Sequence, residues 1–92
     1  MGLEDVEFVM DIEKEFDIEI PDTAMQHVRT VGEFHDEVAK FLREQRPDLS
    51  ERPGFEHHLW SRISTIAADN GYNITPAQVS RDSRFVEDLG YG

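Results

Sequence analysis

Carboxylates are the commonest groups in this chain that could do chemistry, and many of them lie near its start. Residues 1–22 hold nine Asp and Glu residues against Lys14 alone. Such a surface repels nucleic acid and anionic lipid and attracts basic protein surfaces. A solubilising face is the other interpretation of an acidic run. The carboxylates that we assign to partner docking are Glu4, Asp5, Glu7, Asp11 and Glu13.

Histidines and acids elsewhere could in principle bind a metal, but their spacing is unsuitable. His57 and His58 are adjacent and hence about 100° apart on a helix, whereas His27 and His35 fall in other segments. The acids lack the D-x-D-x-D-G spacing of a calcium loop, and the chain has no cysteine. No nucleophile and base pair is evident either. We therefore predict no metal site, no catalytic residue and no enzyme activity.

Length and composition indicate one domain over residues 1–92. The hydrophobic content is 38%, the net charge is −11 and the sequence pI is about 4.5. This length allows a single modest core. No apolar run approaches the ~20 residues that cross a bilayer, and the first residues are acidic where a secretory leader would be basic. We expect a cytoplasmic protein that binds neither nucleic acid nor membrane.

The first helix must position the acidic residues. Apolar residues recur at spacings of three and four from Leu3 onward, which predicts an amphipathic helix of about four turns closed by Asp17. The alternating stretch IEIPD then ends at Pro21, and Asp22 could cap the one or two turns that follow. The apolar residues of the first helix are Val6, Phe8, Val9, Met10, Ile12 and Phe16.

Thr30 and Glu33 have the spacing of a capping box, which predicts the start of the next long helix. Its core-facing residues are Phe34, Val38, Phe41 and Leu42. The polar residues 43–54, with two prolines and a glycine, predict a linker, and residues 46–54 separate segment 1–45 from segment 55–92.

The second segment begins with a helix that we expect to stop at Gly71. Its apolar face carries Phe55, Leu59, Ile63, Ile66 and Ala67, and Trp60 is expected to pack beside it. Thr75 and Pro76 can start a short turn in the long loop that follows. The expected core anchors of that loop are Val79, Phe85, Val86 and Leu89. We find no repeat and no strand pair in the sequence, so the predicted fold class is all-α.

Two stretches resemble the acyl carrier protein family. LEDVEFVMDIEKEFDIEIPD with the later TVGEF resembles its second and third helical regions, and LWSRISTIAADNGYNITPAQVSRDSRFVEDLG resembles its first helix and the loop ending in D-S-x-F-x-x-D-L-G. The resemblance implies a four-helix bundle. The matching residues are Leu3, Val6, Glu7, Met10, Glu13, Phe16, Ile18, Ile20, Pro21, Asp22, Thr30, Val31, Gly32, Asp82, Ser83, Phe85, Asp88, Leu89 and Gly90.

The two stretches stand in rotated order, since the family's first helix and loop follow its second helix here. The resemblance thus implies a circular permutation in which the linker bridges the old chain ends and Gly92 lies near Gly2. A swap, in which residues 55–92 of one molecule complete residues 1–45 of another, is the alternative. About ten flexible linker residues reach on the order of 17 Å, so we favour the monomer over the domain-swapped dimer.

In this family, 4'-phosphopantetheine is attached to the serine of a D-S-L motif at the head of the second helix, where free amide groups suit a phosphodiester. Aligning Leu3 with the motif leucine puts Gly2 in the serine position and Met1 in the aspartate position. Glycine has no hydroxyl, so we expect no cofactor. Ser83 lies in the loop's D-S dipeptide, where a turn role is usual. The other serines, Ser50, Ser61, Ser64 and Ser80, lack the D-S-L context.

Three functions remain. The first is a non-enzymatic interaction module that docks basic proteins through its acidic helix face. The second is a carrier of acyl, aminoacyl or polyketide intermediates in fatty acid or secondary metabolite biosynthesis, with 4'-phosphopantetheine on a serine supplied elsewhere, for example in a longer natural chain. The third is an enzyme. We rank them in that order, because the acidic face is present in the sequence and the serine is not.

Overall fold

The computed structural model describes residues 6–71 and 74–90, and the side chains of all of these except Val6. Within these ranges the protein is helical, with no strand and a single isolated antiparallel bridge between Thr30 and Arg84. The all-α prediction is confirmed. In the part of the chain that is described, no helix has the length and apolar character needed to cross a membrane. The elements are α1 (Val6–Phe16), α2 (Asp22–Met25), α3 (Val31–Gln45), α4 (Pro47–Ser50), α5 (Phe55–Asn70) and a 3-10 turn (Pro76–Gln78).

Helix α1 buries the side chains that share one face of a 3.6-residue period: Phe8, Val9, Ile12 and Phe16. Met10 lies on the opposite face and is 46% exposed, so it does not share the buried face with the other described apolar residues of this helix. The helix ends at Asp17, as expected, because Asp17 has a left-handed φ of 55° and Ile18 N donates to Glu13 O at 3.2 Å. This 6→1 bond satisfies a carbonyl that the helix end leaves free.

The connection to α3 alternates between core and solvent. Ile18 and Ile20 are buried, and Glu19 between them is exposed. The side-chain amide of Gln45 both donates to Glu19 O (2.8 Å) and accepts from Glu19 N (2.9 Å), which fixes this extended stretch against the end of α3. The expected cap by Asp22 does not form. Pro21 is the N-cap residue of α2, and Asp22 is the first residue of its single turn.

Helix α3 begins with the predicted capping box. Glu33 N donates to Thr30 Oγ1 at 3.2 Å, and Thr30 N donates to Glu33 Oε1 at 3.1 Å. The next free amides donate to the C-terminal loop: Val31 N to Ser83 O at 2.9 Å and Gly32 N to Arg81 O at 3.0 Å. All four donors at the helix start therefore have partners. Phe34, Val38 and Leu42 are buried as expected, and Phe41 is partly buried.

The linker is more ordered than its composition indicates. Helix α3 runs to Gln45, so residues 43–45 are helical, and Pro47–Ser50 form one further helical turn. The predicted linker over 43–54 therefore contains helical residues that its lack of an apolar period did not indicate. The physical reason is local, because a proline at the first position of a helix has a suitable φ and lacks an amide that would need a partner. A single turn also requires no apolar period.

Helix α5 and the loop after it behave largely as predicted. Leu59, Ile63, Ile66 and Ala67 are buried, Phe55 is partly buried, and Gly71 is the C-cap. Thr75 and Gln78 form a second capping box around the 3-10 turn. The loop anchors that reach the core are Val79, Phe85 and Leu89.

Val86 does not anchor the loop, since it is 52% exposed. Residues 84–89 form a turn in which Arg84 N donates to Asp88 Oδ2 (2.7 Å) and Leu89 N donates to Arg84 O (3.1 Å). This turn directs Phe85 and Leu89, four residues apart, to the same side. Val86 consequently faces solvent.

An aromatic cluster of Phe8, Phe34 and Phe85 lies at the centre of the core. The ring centroids are 4.8 Å apart for Phe8 and Phe34, 5.4 Å for Phe8 and Phe85, and 6.0 Å for Phe34 and Phe85. The tilted and edge-on arrangements are those that aromatic rings favour. The cluster joins α1, α3 and the C-terminal loop, so each of the two sequence segments contributes to a common core.

Candidate functional site

The outward face of α1 carries the residues most available to a partner. Glu7, Met10 and Lys14 are exposed and lie at spacings of three and four, opposite the buried stripe. An exposed methionine between charged residues offers a flexible apolar contact. We call Glu7, Met10 and Lys14 the α1 face. Sequence reasoning missed Met10 and Lys14, although their spacing to Glu7 was a usable signal.

Two other predicted docking carboxylates flank this face and have partners within the chain. Asp11 Oδ2 accepts from Asn70 Nδ2 of α5 at 3.1 Å, and Glu13 Oε2 accepts from Ile20 N at 2.9 Å. Both side chains are partly exposed. Glu15, one turn beyond Asp11, pairs with Arg62 of α5 at 2.8 Å. The fold thus uses these carboxylates to hold α1 in place. Of the predicted docking carboxylates that the structure describes, Glu7 is the one with no hydrogen bond or ion pair to another described residue.

Gly2, Glu4 and Asp5 lie outside the described residues, as does Gly92, so the expected proximity of the two ends lies outside them as well. The residue type at position 2 still constrains the chemistry. A phosphodiester to 4'-phosphopantetheine needs a side-chain hydroxyl, and glycine has none. Gly2 therefore offers no atom for this attachment, and its alignment with the family's serine stays a prediction.

Three of the described serines bond to nearby backbone groups. Ser83 is buried, and its Oγ accepts from Ser80 N at 2.9 Å, in agreement with the predicted turn role. Ser64 Oγ donates to Ser61 O at 3.1 Å, and Ser50 Oγ donates to Pro47 O at 3.3 Å. Among the residues that the structure describes, no serine hydroxyl bonds to a histidine ring, the pairing that activates a serine nucleophile.

The histidines do not assemble a metal site. Within residues 6–71 and 74–90, no group of three or more His, Cys, Asp or Glu side chains could hold a metal ion. His35 is buried between α3 and α5: its Nδ1 is 3.2 Å from Asp36 Oδ1, its Nε2 is 3.4 Å from Glu56 O, and its ring is edge-on to Trp60 at 5.9 Å. The expected packing role of Trp60 is consistent with this contact.

Two carboxylates near the start of α3 have lowered pKa values. Hydrogen bonds from the backbone amides of Arg29 and Thr30 lower the pKa of Glu33. Partial burial acts to raise the pKa of Asp36, but hydrogen bonds from His35 and from Arg81 (2.8 Å) outweigh it, and the net change is a lowering. These carboxylates are charged parts of the structure rather than candidate general acids.

In its described residues the protein is an all-helical bundle with an acidic amphipathic α1, a capped α3 and a loop that closes over the N-terminus of α3. In sequence, it is similar to the acyl carrier proteins of Phenylobacterium zucineum and Caulobacter vibrioides, each 51% identical over 44 residues, which are 48% of this chain and 51% of theirs. The acyl carrier protein of Porphyromonas gingivalis is 44% identical over 42 residues, 46% of this chain and 54% of its own.

The chain spans about half the length of the curated relatives it matches. No family model matches it, and no solved structure gives a significant match.

Proposed function

We propose that this chain is an acyl-carrier-protein-like interaction module that docks basic protein surfaces through the α1 face and carries no prosthetic arm at Gly2. The observation that supports it most directly is the exposed Met10 beside Glu7, an apolar contact with a charged neighbour on an acidic protein. Glu7 and the flanking, partly exposed Asp11 and Glu13 outnumber Lys14 on this side of α1. Electrostatic complementarity to a basic partner increases association rates and selects partners. The similarity to acyl carrier proteins, which are carriers rather than enzymes, also supports a non-enzymatic role.

We further propose that the two segments are a circular permutation of the carrier fold within one monomer in the cytoplasm. Phe85, shortly before the loop's DLG, contacts Phe8 in the first turns of α1. The loop that would precede α1 in the family order therefore lies beside α1. A domain-swapped dimer would make the same contact between two molecules, and sedimentation at several concentrations distinguishes the two.

The second candidate is a working carrier of acyl, aminoacyl or polyketide intermediates in fatty acid or secondary metabolite biosynthesis. The 51% identity to acyl carrier proteins favours it. It requires a serine supplied by further sequence or by another position. Incubation with coenzyme A and a broad-specificity phosphopantetheinyl transferase, followed by intact mass, decides between the two. We expect an unchanged mass, and a gain of one phosphopantetheine would establish the carrier function.

The same transferase serves as a docking probe. We expect the protein to inhibit, competitively, the transfer to an ordinary acyl carrier protein, and the inhibition to weaken as salt is raised. Glu7→Lys should weaken inhibition strongly, whereas Glu51→Lys, the same charge change on the exposed linker, should have a small effect. Glu7 is a cleaner site than Asp11, because changing Asp11 also breaks its bond to Asn70. Equal effects of both variants would reduce the proposal to net charge.

A further inference from the structure

A second concave surface lies on the side of the molecule formed by α2 and α3. Two adjoining grooves, of about 610 Å³ and about 380 Å³, share the side chain of Phe41. We call them together the α2–α3 groove. Its apolar floor is formed by Phe41 and Ala24, both partly buried, with Ile20 and Val28 beneath. The partly exposed ring of Phe41 at the junction is the natural centre of a contact.

The rim of the α2–α3 groove carries a net negative charge, and several of its carboxylates make no contact within the protein. Among the described residues, the side chains of Glu19, Asp22, Glu37 and Glu44 make no ion pair and no hydrogen bond. Other rim carboxylates are engaged, for example Glu33 in the capping box of α3. The basic side chains that line the groove in the described chain are His27 and Lys40.

We infer that the α2–α3 groove docks a cationic amphipathic helix of a partner protein, with one apolar side chain of that helix against Phe41. Charge complementarity favours this occupant, because seven carboxylates line the groove against one lysine, Lys40, and this excess repels anionic lipids, fatty acid carboxylates and nucleic acids. The apolar floor gives such a helix a contact that a purely solvating acidic surface would lack. This surface is separate from the α1 face, since Glu7, Met10 and Lys14 do not line it.

The spacing on α3 specifies the partner's sequence pattern. Glu37, Phe41 and Glu44 stand at i, i+4 and i+7, hence on one face of the helix, with neighbours about 5–6 Å apart. A partner helix that lies along this face meets an acid, then the Phe41 ring with Lys40 beside it, and then a second acid. It should therefore carry Lys or Arg three or four residues before and after its central apolar residue.

A peptide-display selection tests the inference without a known partner. Random peptides are selected on the intact protein at about 150 mM salt, a concentration at which long-range attraction is largely screened. We expect enriched peptides to show an apolar residue flanked on both sides by Lys or Arg at the spacing given above. Peptides enriched without such cations, or no enrichment at all, would overturn the inference.

Variants of the protein then locate the binding. Phe41→Ser should reduce the affinity of the selected peptides about tenfold or more, as the loss of a central aromatic anchor does. The double variant Glu37→Gln, Glu44→Gln should reduce it several-fold and removes only charge, so it decides the question if Phe41→Ser fails to fold. The matched control Glu51→Gln, Glu87→Gln makes the same change in net charge at exposed residues elsewhere.

Two results would refute the α2–α3 groove as the site. One is equal loss of affinity in the Glu37/Glu44 variant and its matched control, which would show a net-charge effect. The other is a loss caused by Glu7→Lys greater than that of Glu51→Lys, which would place the peptide on the α1 face. Because the transferase assay reports on the α1 face and this selection reports on Phe41, the two proposals fail separately.

Discussion

At the residue scale, Gly32, the second residue of α3, has less room for a side chain than Gly54 or Gly71. A Cβ atom placed there would lie 2.9 Å from both Arg81 Cβ and Arg81 O. The loop needs this closeness, because Gly32 N donates to Arg81 O at 3.0 Å. Glycine at this position thus lets the loop lie directly on the start of α3.

Gly32→Ala should destabilise the fold by about 1–3 kcal/mol, because the extra methyl group must displace loop backbone that cannot simply rotate away. Urea denaturation followed by circular dichroism measures the change. Gly54→Ala is the matched control: its φ is +75° but no atom lies within 4 Å of the new Cβ, so only backbone strain of about 1 kcal/mol is expected. A smaller loss at Gly32 than at Gly54 would contradict the close approach of the loop.

Glu33 should make stability depend on pH in the acidic range. Its folded-state pKa is lowered by the amides of Arg29 and Thr30, so the unfolded chain binds the proton more readily. The stabilisation is therefore present above the ordinary value of 4.5 and is lost as pH falls through the lowered value. Glu33→Gln keeps an acceptor but does not titrate. The free-energy difference between the wild type and Glu33→Gln should narrow on acidification, and a constant difference from pH 7 to acid would refute this.

At the scale of elements, polar pairs join α1 to α5, namely Glu15 with Arg62 and Asp11 with Asn70. His35 of α3 joins that helix to α5. The imidazole fills the space between α3 and α5, with Asp36 Oδ1 and Glu56 O facing its two nitrogens. Its burial could not be predicted from sequence, because the partner carbonyl and Trp60 come from a helix more than twenty positions later. Once α5 packs against α3, those contacts satisfy a polar ring in the core.

His35→Ala should cost about 2–4 kcal/mol, since it leaves a cavity between α3 and α5 and removes the contact of the ring with Trp60. Trp60, the chain's one tryptophan, reports on the same site, and its emission should change in the folded variant. His35→Phe keeps the ring volume beside Trp60 and should cost less. Equal losses in the two variants, with Trp60 emission unchanged, would show that the ring does not pack as described.

Sequence patterns were reliable for elements with a period and unreliable where a single contact decides. The buried stripes of α3 and α5 and the capping box at Thr30 follow from spacing alone. The exposure of Met10 did not follow from the pattern, because α1 has more apolar residues than one helix face can bury. Val86 was wrongly predicted as a core anchor, because residues in a turn have no hydrophobic period that shows which side chain is buried. Helix α4 was not predicted, because a single helical turn is too short to show such a period.

The candidate site was predictable only in part, for a similar reason. The acidic character of α1 follows from its composition. The hydrogen bonds that Asp11 and Glu13 accept could not be predicted, because their donors are Asn70 and the backbone amide of Ile20. The α2–α3 groove depends on how two elements pack, and no local pattern reports its shape. The position of Gly2 follows from alignment with a family motif, and its surroundings lie outside the described residues.

At the scale of the whole molecule, charge repulsion should limit stability. With 20 acidic against 9 basic side chains, the folded state brings like charges together. Raising NaCl from about 20 mM to about 500 mM should therefore increase the melting temperature at neutral pH, because screening shortens the range of that repulsion. Divalent cations should act in the same direction. A melting temperature that falls with salt would show that ion pairs such as Arg62 with Glu15 outweigh the repulsion.

A rearranged chain tests the permutation directly. Joining Gly92 to Met1 and opening the chain between the exposed residues Glu51 and Arg52 restores the family order of the two segments. We expect the same helical circular dichroism, the same Trp60 emission and a melting temperature within a few degrees of the original, because surface breaks of this kind are tolerated. Loss of cooperative unfolding would contradict the proposed neighbourhood of the two ends, and a stable dimer would favour the swap.

The contact between Phe8 and Phe85 also has a consequence for biosynthesis. Its two residues lie near opposite ends of the described chain, so the aromatic cluster closes only after almost all of that chain has been synthesised. Domains dominated by such distant contacts fold more slowly than those built from local ones. Until then, the first segment lacks the contact that Phe85 makes with Phe8 and Phe34. We therefore expect the nascent chain to bind chaperones that recognise exposed apolar surface.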